Sequence, residues 1–186
     1  MGMGNRWSRS STLIAVGLAV LGLTAAPVAS STPGVPDLSG YTAVNSEDYR
    51  SEMGYGTSGV RFSTPDGLHC TMTHNARSSW DMAQCAGPLS GVADLNTARV
   101  VSFGSPGELL KSDLSSDTVS NLDGQGWHET PVAPGAYKVL TVGMKISFES
   151  ATCAVGDRRL TTCVIAGGQT FGDHGFVLGI GGGRVF

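Results

Sequence analysis

Residues 59–70 read GVRFSTPDGLHC, and their reading decides the fold. Val60 and Phe62 alternate with Arg61 and Ser63, the chain meets Thr64-Pro65-Asp66-Gly67, and alternation resumes with Leu68, Cys70 and Met72 on one face. Proline at the second turn position fixes φ, and glycine after aspartate accepts a positive φ, so the stretch predicts a β-hairpin. Period-two alternation buries one face of that hairpin and sets Cys70 on it, with His69 aimed the other way.

The chain holds four cysteines, Cys70, Cys85, Cys153 and Cys163. An even number in an exported domain implies a disulfide framework, and four cysteines allow three connectivities. Sequential pairing, Cys70 with Cys85 and Cys153 with Cys163, closes two short loops and is the expected one. Each bridge would contribute about 3 kcal/mol by restricting the unfolded chain. A zinc site fits poorly, because no C-x2-4-C spacing occurs. The second pair falls in its own hairpin: TCAV at residues 152–155 and LTTCVI at 160–165 flank the turn Gly156-Asp157-Arg158-Arg159.

Export is read from the N-terminus. Arg6 and Arg9 precede the apolar run LIAVGLAVLGLTAA at residues 13–26. As helix that run spans about 21 Å, short of the roughly 30 Å of a bilayer core. Small residues follow it, so residues 1–30 are expected to be a Sec-type signal peptide cut near Ser30. The separated arginines argue against the twin-arginine route, and no cysteine near the cut offers a lipid anchor. Without Arg6 and Arg9, ten Lys/Arg face fifteen Asp/Glu. An acidic chain with no basic cluster argues against nucleic acid or anionic lipid as partner. The expected mature chain has no further apolar run of membrane-spanning length.

Residues 31–40 are rich in Pro, Gly and Ser and are expected to form a flexible arm, with residues 41–186 as one disulfide-stapled β-rich domain. Asn45-Ser46-Glu47-Asp48, Tyr49, Met53 and Gly54 predict a short helix. Gly54, Gly56 and Gly59 satisfy G-x-G-x-x-G formally, but the order helix then strand is wrong for a dinucleotide fingerprint. Residues 74–84 read as a polar loop containing Trp80, and 99–103 as a strand. Ser105-Pro106-Gly107-Glu108 before Leu109, Leu110 and Leu114 carries the signature of a capped helix. Residues 111–126 read as an exposed connection. Met144, Ile146 and Phe148 alternate with polar residues in a half-buried strand, and residues 176–180 close the chain as a last strand. Six or seven strands and one or two short helices predict a mainly β, compact antiparallel domain, sandwich or barrel-like.

Several motifs together resemble a known group. They are F-x-T/S-P-D-G-x-x-C at Phe62 to Cys70, C-x-G-x-L at Cys85 to Leu89, the pair Cys153 and Cys163, H-G-F-V-L at His174 to Leu178, the early Tyr41 segment and the signal peptide. The chain resembles the small secreted two-disulfide proteins of mycobacteria and related actinobacteria over most of its expected mature length. That resemblance implies export and a disulfide-held β fold; it implies no activity, cofactor or catalytic residue. Nothing between Leu109 and Trp127 matches it.

Enzymatic patterns are weak. Asp173 and His174 adjoin, but neighbours on an extended strand point to opposite faces, and no G-x-S-x-G elbow exists. The histidines lack H-x-x-x-H or H-E-x-x-H spacing for a metal. Asn121-Leu122-Asp123-Gly124 is similar to part of a calcium loop, yet Val119 and Thr130 occupy its end ligand positions. Glu108 and Glu129 are the unpatterned carboxylates for glycosidase chemistry. Trp80, Trp127, His128 and His174 are the candidate surface-site residues, since exposed aromatics suit a protein or carbohydrate contact. The sequence therefore predicts an exported or cell-envelope, non-catalytic binding domain without cofactor, its partner a protein or cell-wall glycan; the alternative is a small secreted hydrolase.

Overall fold

The computed structural model describes residues 34–54, 56–104, 106–114 and 118–186, so the expected signal peptide, residues 1–30, lies outside the described residues. The strands are β1 Thr42–Ala43, β2 Arg50–Glu52, β3 Thr57–Ser63, β4 His69–Asn75, β5 Trp80–Ala86, β6 Thr97–Val101, β7 Glu108–Leu110, β8 Thr118–Asp123, β9 Gly126–Pro131, β10 Lys138–Val139, β11 Met144–Phe148, β12 Ala151–Gly156, β13 Leu160–Ile165, β14 His174–Gly179 and β15 Gly182–Val185. One sheet has the order β1-β11-β12-β13-β14-β15, and the other β10-β3-β4-β5-β6-β7 with β2 also on β3. The two pack face to face without closing into a barrel, and β8 with β9 forms a separate ribbon. The domain is mainly β and mostly antiparallel; β1 with β11 and β10 with β3 are parallel pairings.

The hairpin at residues 59–70 forms as its turn chemistry requires. Gly67 sits at φ 90°. Thr64 accepts from the Leu68 amide at 3.1 Å and donates to Asp66 Oδ1 at 2.6 Å, so its hydroxyl closes the turn internally. Alternation then sends Val60, Phe62, Cys70 and Met72 inward, each with no exposed surface. Ile146, Phe148, Cys153, Val155, Cys163, Ile165, Phe176 and Leu178 meet them from the other sheet. Both disulfides are cross-strand bridges, Cys70–Cys85 between β4 and β5 and Cys153–Cys163 between β12 and β13. They lie on the two inner faces, and Cys85 Sγ is 3.9 Å from Cys163 Sγ. One bridge from each sheet therefore stacks on the other at the centre of the sandwich.

Five local expectations need correction. The predicted helix near residue 45 is one 3₁₀ turn, Ser46–Tyr49, capped by Asn45, whose side chain accepts from the Glu47 amide. Beyond it Arg50–Glu52 pairs with the open edge of β3, a tertiary gain that a single helical turn cannot match. The predicted helix after residue 105 is the strand β7. Its capping-box Glu108 instead faces Arg99 across β6, 2.7 Å from the guanidinium Nε. Gly107 passes so close to β14 that a Cβ would stand 2.4 Å from the Gly175 carbonyl, which commits the chain to an extended path. The polar stretch 74–84 is mostly strand rather than loop: Asn75 Oδ1 accepts from the amides of Arg77 and Ser78, and β5 starts at Trp80. Residues 111–126 hold β8 and the start of β9, and β15 follows the strand expected to close the chain.

Candidate functional site

One hollow lies on the outer face of the second sheet. Because Cys70 and Cys85 point inward, period-two alternation turns His69 and Thr71 of β4 and Gln84 and Ala86 of β5 outward. Tyr137, just before β10, stacks on His69 with ring centroids 4.2 Å apart and planes 13° from parallel. The Tyr137 carbonyl accepts from Ser63 Oγ at 3.1 Å, so β3 anchors the residue that carries the ring. The opposite wall is residues 112–114. Asn96 holds it with both ends of its amide: Nδ2 donates to the Ser112 carbonyl at 2.8 Å, and Oδ1 accepts from the Ser112 amide at 2.7 Å. The enclosed space is about 370 Å³, lined by the stacked rings, Thr71, Gln84, Ser112, Asp113 and Leu114, with no lysine or arginine.

A second hollow of about 350 Å³ lies on the outer face of the first sheet. Residues 35–39 of the N-terminal arm edge it, held by Lys145 Nζ donating to the Leu38 carbonyl at 2.9 Å. Hydrogen bonds from the Ser39 amide and hydroxyl keep the Asp37 carboxyl below the usual carboxylate range.

Polar chemistry also gathers between the sheets. His74 and Asp81 are cross-strand partners on the inner face, with Nδ1 2.7 Å from Oδ1. Ser150, at the turn from β11 to β12, donates to the other carboxylate oxygen, and the Asp81 amide donates to Ser102 Oγ at 3.0 Å. This Ser–Asp–His set has the wrong order for acyl transfer. The aspartate stands between serine and histidine, so the imidazole does not touch the hydroxyl. Its evident work is to tie one sheet to the other. His174 does the same: Nε2 lies 2.7 Å from the Val101 carbonyl of β6 and Nδ1 3.0 Å from the Gly172 carbonyl.

The sequence-predicted surface candidates do not converge. Trp80 is half-buried at the start of β5 and faces outward, whereas His174, 5% exposed, faces into the sandwich. Trp127 and His128 stand exposed on β9 of the separate ribbon. Of the two glycosidase candidates, Glu108 pairs with Arg99 in β6 and Glu129 accepts from Thr118 Oγ1 within the ribbon, so they do not oppose each other across a cleft. Among the described residues no group of three or more His, Cys, Asp and Glu could hold a metal, and no helix is long and apolar enough to cross a membrane. The sequence marked His69 as outward-facing but not its partners. Alternation around Cys85 was the available signal for Gln84; Tyr137 and Ser112 reach the groove through tertiary packing alone.

No protein-family model, curated protein or solved structure matches the chain.

Proposed function

We propose that this chain is an exported, non-catalytic binding domain that takes a neutral glycan segment in the groove beside His69 and Tyr137. The observation that carries the reading is the stacked ring pair in a hollow lined otherwise by an amide, hydroxyls and one carboxylate. Flat rings cover the apolar face of a sugar, while amide and hydroxyl groups both donate and accept hydrogen bonds. No lysine or arginine lines the groove, which favours uncharged ligands over anionic ones. Its volume is at the small end of ligand pockets, enough for one or two sugar rings. The wall at Ser112 is fixed by Asn96 before any ligand arrives, which limits the ordering cost of binding.

Export is supported by the N-terminal sequence pattern, by the two disulfides and by the resemblance to small secreted two-disulfide proteins of mycobacteria and related actinobacteria. A hydrolase is the weaker reading. Among the described residues the His74–Asp81 pair is the support for it, and Ser150 bonds to the aspartate rather than to the histidine.

Amide-resolved NMR titration with chitotetraose and maltotetraose tests the reading. Shifts confined to the amides of Thr71, Gln84 and Ser112, weakened about three- to tenfold by His69→Ala as the stack is lost, are the expected result. Absence of shifts with both sugars at millimolar concentration, or shifts centred elsewhere, would refute it.

A further inference from the structure

The four half-cystines occupy a single place in the fold. Cys70 and Cys85 are directly opposite in β4 and β5, and Cys153 and Cys163 directly opposite in β12 and β13. Strands β5 and β13 approach within 8 Å, Cα to Cα, and bring Cys85 Sγ to 3.9 Å from Cys163 Sγ. Both sulfurs are oxidised and carry no proton, so this is a contact between two bridges rather than a hydrogen bond. None of the four cysteines is more than 1% exposed. An external thiol reaches them only when strands open, whereas each bridge always has the other beside it.

We propose that these four sulfurs form one redox site, which accepts two reducing equivalents from a dithiol and answers by moving a bridge from within the sheets to between them. In the first step a dithiol reduces Cys70–Cys85. The dithiol becomes its own disulfide, and its two electrons and two protons leave thiols on Cys70 and Cys85. In the second step Cys85 loses its proton and the thiolate attacks Cys163 Sγ. The Cys85–Cys163 bond forms, the Cys153–Cys163 bond breaks, and the electron pair departs on Cys153, which takes up a proton. This step changes no oxidation state. It leaves one bridge across the sheets and thiols on Cys70 and Cys153.

The pathway is symmetric. If the dithiol opens Cys153–Cys163 first, the Cys163 thiolate attacks Cys85, Cys70 leaves, and the same product results. Exchange needs the sulfurs to close from 3.9 Å to the roughly 2 Å of a disulfide, a movement shared by two sheets. Holding nucleophile and target together replaces a second bimolecular encounter with a unimolecular step. Cys85–Cys163 spans 78 positions, against 15 and 10 for the native bridges, so of these three it restricts the unfolded chain most.

Limited reduction of the oxidised protein by one equivalent of dithiothreitol, followed by acid quenching, alkylation and peptide mapping, tests the proposal. The expected two-electron-reduced product has Cys85 joined to Cys163 and alkylated Cys70 and Cys153. A product that keeps Cys70–Cys85 or Cys153–Cys163 intact would overturn it. Two variants reach the same species without reductant. Cys70→Ser should yield Cys85–Cys163 with a thiol on Cys153, and Cys153→Ser should yield the same bridge with a thiol on Cys70. Thiols found instead on Cys85 and Cys163, respectively, would overturn it equally. Should either variant fail to fold, limited reduction of the unaltered protein still decides.

Discussion

The stacked-cystine centre and the β8–β9 ribbon are both made of antiparallel hairpins, yet they differ in what lies opposite them. At the centre each hairpin sets an apolar face and a cystine against the other sheet, and Phe62, Met72, Ile146 and Phe176 are fully buried there. The ribbon is a sheet of two strands, pairs with no other described strand and leaves Trp127 62% exposed. An isolated two-stranded hairpin is marginal in water, so the ribbon gains little from folding on its own. Pairing alone does not make stability in this chain; a second face to bury against does.

The contrast predicts a graded set of mutational effects. Phe176→Ala, next to the cystine stack, should cost about 3–5 kcal/mol in urea unfolding, the range for emptying an aromatic site in a packed core. A loss below about 1 kcal/mol would mean the centre repacks freely, against the ordinary behaviour of close-packed interiors. His174→Ala removes the ring that joins β14 to the Val101 carbonyl and should cost about 1–3 kcal/mol, the penalty of stranding buried acceptors. An unchanged urea midpoint would show that this link between sheets is not structural.

Tyr49 gives a smaller effect that depends on pH. Burial, and secondarily the negative charge of Asp48, raise its phenol above the ordinary value of 10.0. The folded state thus holds the proton more tightly than the unfolded chain. Its contribution is complete below pH 10 and is lost as pH rises from there toward the higher folded value. Stability measured across that window should fall for the native protein and fall less steeply for Tyr49→Phe; equal slopes would contradict the assignment. Trp127→Ala on the ribbon should change global stability by no more than about 0.5 kcal/mol. A larger loss would place the ribbon in the cooperative core and erase the contrast.

Much of the centre was legible from the sequence because its signals are local. Pro65 and Gly67 fix one turn, Met144, Ile146 and Phe148 alternate cleanly, and sequential cysteines sit in separate hairpins. The errors came where distant contacts outweighed local preference. A capping signature at Glu108 yielded to pairing with Arg99 and to the close passage of Gly107 against Gly175. Strand β15 was invisible because Gly182 and Gly183 carry no side-chain pattern; its pairing with β14 supplies what propensity does not. The groove was half legible. Alternation puts His69 outside, but Gln84, Ser112 and Tyr137 come from three further segments that only the fold brings together.

The stacked-cystine centre requires one oxidised bridge within each sheet. Peptide mapping of the oxidised protein, digested at acid pH without reductant so that bridges cannot exchange, measures this directly. It should recover Cys70 joined to Cys85, Cys153 joined to Cys163 and no free thiol. Recovery of Cys70 joined to Cys153 or Cys163, or of unpaired cysteines in the folded oxidised protein, would contradict the stacked-cystine core.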